Sequence, residues 1–187
     1  YYRLGETEDN PDFQAVLDSA VALNAPTIRV WAGRTGSADA DDGVWRNVTE
    51  DAHRISSLAE KQDIRICLEY HGGTLTDSID AAVRLLDEVP HPKLDTLWQP
   101  PNGQTDDHCE KSLTSVLPRV SNLHVFHWGP EGFKDRRPLA EGRDRWERFF
   151  SIANSNPKPR WALMEFVKEN ALSQFHEDAK TLRDILS

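Results

Sequence analysis

One alternation limits what this chain can fold into more than any other feature. Five short β-rich runs, Thr27–Trp31, Ile64–Leu68, Lys93–Trp98, Leu123–Trp128 and Arg160–Met164, are each followed by a polar break and then an amphipathic helical stretch. Asn10-Pro11 reads as an N-cap with proline at the first helical position. Phe13, Val16, Leu17, Ala20, Val21 and Leu23 then recur at helical spacing. The same spacing marks Val48, Ala52, Ile55, Leu58 and Ala59, then Ile79, Ala82, Val83, Leu85 and Leu86. Further helices are read over Asp107–Leu117, around Trp146, Phe149, Phe150 and Ile152, and over Leu172–Leu186. Strands that alternate with helices imply a parallel sheet covered on both faces.

Two folds take this pattern, the eight-stranded barrel and the open doubly wound sheet. No glycine-rich phosphate loop follows any strand run. Instead, polar or ionisable groups stand just after or at the end of several of them: Glu69 and His71, Gln99 and Asn102, His124 and His127, Glu165 and Lys168. A barrel directs every strand's C-terminal end into one mouth and gathers these groups, whereas an open sheet spreads them along an edge. The expected fold is therefore α/β, a (β/α)8 TIM barrel. Eight units need about 250 residues, so 187 residues hold about five of them. The chain is read as one domain over residues 1–187, the C-terminal portion of an N-terminally incomplete barrel.

Composition narrows the function. A formal net charge of −9 opposes phosphate backbones, whose binding rests on Lys and Arg, so no nucleic-acid partner is expected. No run approaches the roughly 18 apolar residues of a membrane span, and the first residues show no signal-peptide pattern. Cys67 and Cys109 do not make a disulfide framework, which fits a reducing cytoplasm. The Asn47-Val48-Thr49 sequon is read as chance.

At this point the residues carry a resemblance. Ile28–Gly33, Leu68–Gly72, Leu123–His127 and Leu163–Phe166 resemble successive strand ends of the sugar phosphate isomerase/epimerase family, of the xylose isomerase-like type. Arg137-Pro138-Leu139-Ala140-Glu141-Gly142 resembles that family's loop motif before the seventh helix. The resemblance implies a divalent metal held by a Glu, an Asp, a His and a second Glu at four consecutive strand ends. Carried over, these fall on Glu69, Gln99, His124 and Glu165. The departure is Gln99, which offers a carbonyl oxygen but no charge. Oxygen ligands with one imidazole suit Mn2+, Mg2+ or Co2+.

The implied reaction is a proton or hydride shift beside the carbonyl of a sugar or sugar phosphate. Glu69 and Glu165 form the catalytic pair, with Trp31, His71, Asn102, His127, Arg137 and Lys168 as substrate contacts. For several of the site residues there is a plainer alternative. Glu69 and Glu165 can cap loops, His124 can be a satisfied core histidine, and Gln99 can bond a loop backbone. Trp31 can simply pack, and Arg137 and Lys168 can be solvated surface. Two other functions compete with the isomerase: a sugar-binding barrel with a degenerate metal site, and an apurinic-site nuclease of the same fold. The latter needs a His-rich three-metal cluster, where this chain offers Gln99, Asn102 and Arg137. A homo-oligomer is compatible with all three.

Overall fold

A computed structural model describes residues 2–8 and 10–187. The chain falls into two compact units. The first holds the residues through Leu97 together with Arg119–Ser121; the second holds Trp98–Pro118 and Asn122–Ser187.

The first unit opens with a two-residue strand, β1 (Tyr2–Arg3), followed by α1 (Phe13–Ala22). The N-cap of α1 is Asp12 rather than Asn10, its carboxylate accepting from the Gln14 N–H at 3.2 Å. Asn10 instead bonds Arg3 in both directions, its Oδ1 accepting from the Arg3 N–H and its Nδ2 donating to the Arg3 carbonyl. Then come β2 (Thr27–Trp31) and α2 (Asp42–Glu60). Asp41 caps α2 by accepting from the Val44 N–H at 2.8 Å. The buried stripe of α2 is Trp45, Val48, Ala52, Ile55 and Ala59, steps of three and four that keep one face on the sheet. β3 (Arg65–Glu69), α3 (Ile79–Glu88) and β4 (Leu94–Trp98) follow. Every residue of β4 is buried, as expected of a parallel strand covered on both faces.

In the second unit α4 (Asp106–Val116) is capped by Thr105 and leads to β5 (Val120–Val125), whose first two residues belong to the first unit. The run read as one strand over Leu123–Trp128 divides at Phe126. Its end forms β6 (His127–Trp128), which pairs antiparallel with β7 (Arg136–Arg137) in a small hairpin. α5 (Arg143–Asn154), β8 (Trp161–Met164) and α6 (Leu172–Leu186) complete the chain. The unit's core is aromatic: Trp98 meets Phe149 edge-on at 5.0 Å, and Phe149 meets Trp146 at 5.4 Å. Both indole N–H groups are satisfied, Trp98 donating to Ser112 Oγ and Trp146 to the Phe126 carbonyl, each at 2.8 Å.

The main sheet has the order β1-β2-β3-β4-β5-β8. The pairs β1–β2, β2–β3, β3–β4 and β5–β8 are parallel. This is the expected α/β arrangement, with one more strand than the five read from the sequence; the addition is β1, too short to show an alternation. Among the described residues no helix is long and apolar enough to cross a membrane. Cys67 and Cys109 are both buried thiols outside any disulfide, and Cys67 Sγ lies 2.9 Å from Ser121 Oγ.

Candidate metal and substrate site

Register builds the first unit's contribution. Val30 is paired with Leu68, so the next residues, Trp31 and Glu69, emerge side by side at the strand ends. Glu69 is 3% exposed, and its Oε2 accepts from the Trp31 indole N–H. The Arg29 guanidinium stands 3.5 Å from the same oxygen. A buried carboxylate needs such partners, since desolvation alone would disfavour its charge. Trp31 is itself held: His71 stacks on it at 4.5 Å and the Arg3 guanidinium lies over its ring at 4.7 Å. His71 Nδ1 is 2.7 Å from the Gly72 carbonyl. Trp31 and His71 thus form one layer behind Glu69.

In the second unit three of the residues singled out in the sequence meet at one atom. His124 Nδ1 is 3.3 Å from Gln99 Oε1 and 3.2 Å from Glu165 Oε2. Register again explains the pairing. Val125 is paired with Met164, and the Glu165 N–H continues the ladder to the Val125 carbonyl at 3.2 Å. His124 is 6% exposed. One imidazole nitrogen faces two oxygens there, and a single N–H can satisfy only one of them well. An imidazole with a carboxylate and a carbonyl oxygen is a donor set that fits a divalent cation.

The remaining residues divide. Asn102, His127 and Arg137 line one cavity of about 430 Å³ together with Pro100, Trp128 and Arg145. Asn102 packs on Gly132, where a Cβ would lie 2.6 Å from its Oδ1 and φ is +66°; only glycine suits that close approach. His127 packs its Nδ1 against Gly142. Burial, and then the Arg145 charge, push its pKa below the ordinary 6.5. Arg137 is clamped by Asp135 through Nε–Oδ1 at 3.0 Å and Nη2–Oδ2 at 2.9 Å. Lys168 is exposed on the turn Lys168–Asn170.

Sequence reasoning missed Arg29 and Asp135. Arg29 was legible in principle, because period two puts it on the same face of β2 as Trp31. Asp135 was not, because the hairpin that aims it at Arg137 carries no strand-like run.

Residues 8–185 match the family described as xylose isomerase-like TIM barrel, and the chain belongs to that family. It is 36% identical over 67 residues to a 3-dehydroshikimate dehydratase of Bacillus anthracis, a match covering 36% of this chain and 24% of that enzyme. It is 29% identical over 102 residues to an inosose dehydratase of Klebsiella pneumoniae subsp. pneumoniae, covering 52% and 31%. The matched stretches therefore span about a quarter to a third of these relatives' lengths. Among solved structures, the probable 3-dehydroshikimate dehydratase AsbF of Bacillus anthracis superposes with a TM-score of 0.80 at 20% identity, covering 97% of this chain and 74% of that one. A xylose isomerase-like barrel from Mycobacterium smegmatis in complex with magnesium gives 0.66 at 15% identity, covering 93% and 65%. A D-psicose 3-epimerase in the presence of D-fructose gives 0.68 at 15% identity, covering 92% and 67%.

Proposed function

We propose that this chain supplies the metal and substrate site of a divalent-metal-assisted isomerase or epimerase, acting on a sugar or sugar phosphate by proton transfer beside a carbonyl. The observation that carries the reading is the convergence of Gln99 Oε1 and Glu165 Oε2 on His124 Nδ1. In this proposal Glu69, Gln99, His124 and Glu165 hold Mn2+, Mg2+ or Co2+, and the magnesium in a structural neighbour supports that choice. When bound, the ion supplies polarisation of the substrate carbonyl oxygen, which acidifies the adjacent C–H.

The chain's own residues do the rest. One of Glu69 and Glu165 takes the proton from the carbon beside the carbonyl, and the other returns one. The Trp31 N–H and Arg29 fix the orientation of the Glu69 side chain. The cavity lined by Asn102, His127 and Arg137 receives the remainder of the substrate. His127 enters as a neutral imidazole at pH 7, suited to hydroxyl groups. Lys168 and Arg137 are the cations for a phosphate or carboxylate, Arg137 exchanging part of its hold on Asp135. The two thiols, Cys67 and Cys109, agree with a reducing cytoplasm.

A second reading shares the first step. Both curated relatives are dehydratases, and removal of the proton beside a carbonyl is also how a β-hydroxy ketone begins to lose water. A single assay in D2O with Mn2+ separates the outcomes. Deuterium at the carbon beside the carbonyl with every hydroxyl kept supports epimerisation or isomerisation. A new enone absorbance supports dehydration. Neither product across a panel of keto-sugars and cyclic hydroxy ketones, despite measurable Mn2+ binding, would leave a sugar-binding barrel.

A further inference from the structure

The guanidinium of Arg136, on β7, holds three groups at once. Its Nε donates to the Phe133 carbonyl at 3.1 Å, fixing the tip of its own hairpin. Its Nη1 donates to Asn170 Oδ1 at 2.7 Å. Its charge lies over the Phe166 ring, 4.6 Å from the centroid. The last two contacts are with the segment that follows β8, and Phe166 is the residue next to Glu165. That ring is held from the hairpin side as well, by Trp128 at 5.3 Å and by Phe126 edge-on at 5.7 Å.

The segment being held is strained. Glu169 and Asn170 both sit in the left-handed region, with φ of +57° and +52°. Two consecutive non-glycine residues there persist only where the surroundings enforce them. The enforcing contact is visible: with Asn170 left-handed, its amide oxygen reaches Arg136.

From this geometry we infer that Arg136 is a positioning residue for Glu165. It latches the post-β8 segment onto the β6–β7 hairpin, so that the Glu165 carboxylate stays against His124 Nδ1. The same hairpin carries His127, Trp128 and Arg137 into the cavity. Movement of the cavity wall is therefore coupled to Glu165. The consequence for a metal rests on the proposed function; the latch itself does not.

The experiment compares the wild-type chain with R136A, R136K and N170G. It reads amide hydrogen exchange without metal and Mn2+ affinity by calorimetry. N170G removes the acceptor while keeping a residue at ease in the left-handed region, so it isolates the latch from backbone strain. R136A is expected to speed exchange of the Glu165 amide, which bonds the Val125 carbonyl, and to weaken Mn2+ binding about tenfold. N170G shifts both in the same direction by less. R136K keeps a cation over Phe166 and recovers part of each. Unchanged Glu165 exchange in R136A and N170G overturns the inference, whatever happens to global stability. If the wild type binds no Mn2+ while R136A still frees the Glu165 amide, the metal reading falls and the latch stands.

Discussion

At the residue scale, Gln99 is the most informative position, because its carbonyl oxygen stands where the family resemblance called for a carboxylate. Changing it to glutamate keeps the shape and adds one negative charge beside Glu165, through their shared contact with His124. Without metal, like charges so close disfavour the folded site, and the thermal midpoint of Q99E should fall. On the proposed ligand set the added charge is an extra anionic ligand for Mn2+, and affinity should rise about tenfold, as ligand charge commonly tunes such sites. Titration of Mn2+ into both proteins checks this, and equal affinities would remove Gln99 from the ligand set. Removing the carboxylate in E165Q should abolish binding in the same titration.

His127 makes a separate prediction from its lowered pKa. A histidine whose folded pKa lies below its unfolded 6.5 is proton-poor in the native state. Stability then falls as pH drops through 6.5 and stops falling below the folded pKa. The H127Q variant should show a shallower loss of stability between about pH 7 and 5. An NMR titration of the His127 ring should give a midpoint below 6.5.

Elements, by contrast, were largely legible, and the exceptions have physical causes. Thr27–Trp31 and the ends of the other sheet strands could be read because β-branched and apolar residues are bounded there by turn residues. α2 declared itself through Trp45, Val48, Ala52, Ile55 and Ala59. β1 has only Tyr2 and Arg3, too few residues to display a period. β6 was hidden inside an apolar run because Phe126, which stacks on Trp128 at 4.2 Å, looks like one more strand residue. The pairing of Trp128 with Arg136 depends on a return strand with no apolar signal.

The positions of the candidate site were legible for the same reason as the strands. Glu69, Gln99, His124 and Glu165 sit at or just past strand runs, whereas Asp135, which clamps Arg137, and Arg136 depend on tertiary folding. Asp178 belongs to that second group. It is 3% exposed on α6 and accepts from the Leu139 N–H at 2.8 Å and from Gln174 at 2.9 Å, tying the turn Leu139–Gly142 to the helix. Truncating it strands a buried backbone donor, so D178A should lower unfolding free energy by about 1–3 kcal/mol. Chemical denaturation measures this, and a change within 0.5 kcal/mol, roughly the range of surface substitutions, would show that water replaces the carboxylate.

For the whole molecule, β8 ends the order of the main sheet, and this has a consequence for the 187-residue chain in solution. One face of β8 presents Trp161 at 69% exposure and Leu163 at 42%. On α6 nearby in sequence, Leu172 and Phe175 are also exposed. A terminal strand with an open ladder and a large apolar face is the arrangement that recruits further chain. The family fold supplies the reason for its composition, since inward positions of barrel strands are built for contact with other side chains. The net charge of −9 opposes close approach of copies, but at physiological salt that repulsion is screened within about 8 Å, and contact between apolar faces is not. The chain should therefore self-associate increasingly with concentration and with salt. Replacing Trp161 and Leu163 by serine together should shift sedimentation velocity profiles toward monomer, while a Leu23→Ser change, at a still more exposed apolar position on the C-cap of α1, should leave them unaltered. If the double variant sediments like the wild type, some other surface drives association, and the β8 face is tolerated in water as it stands.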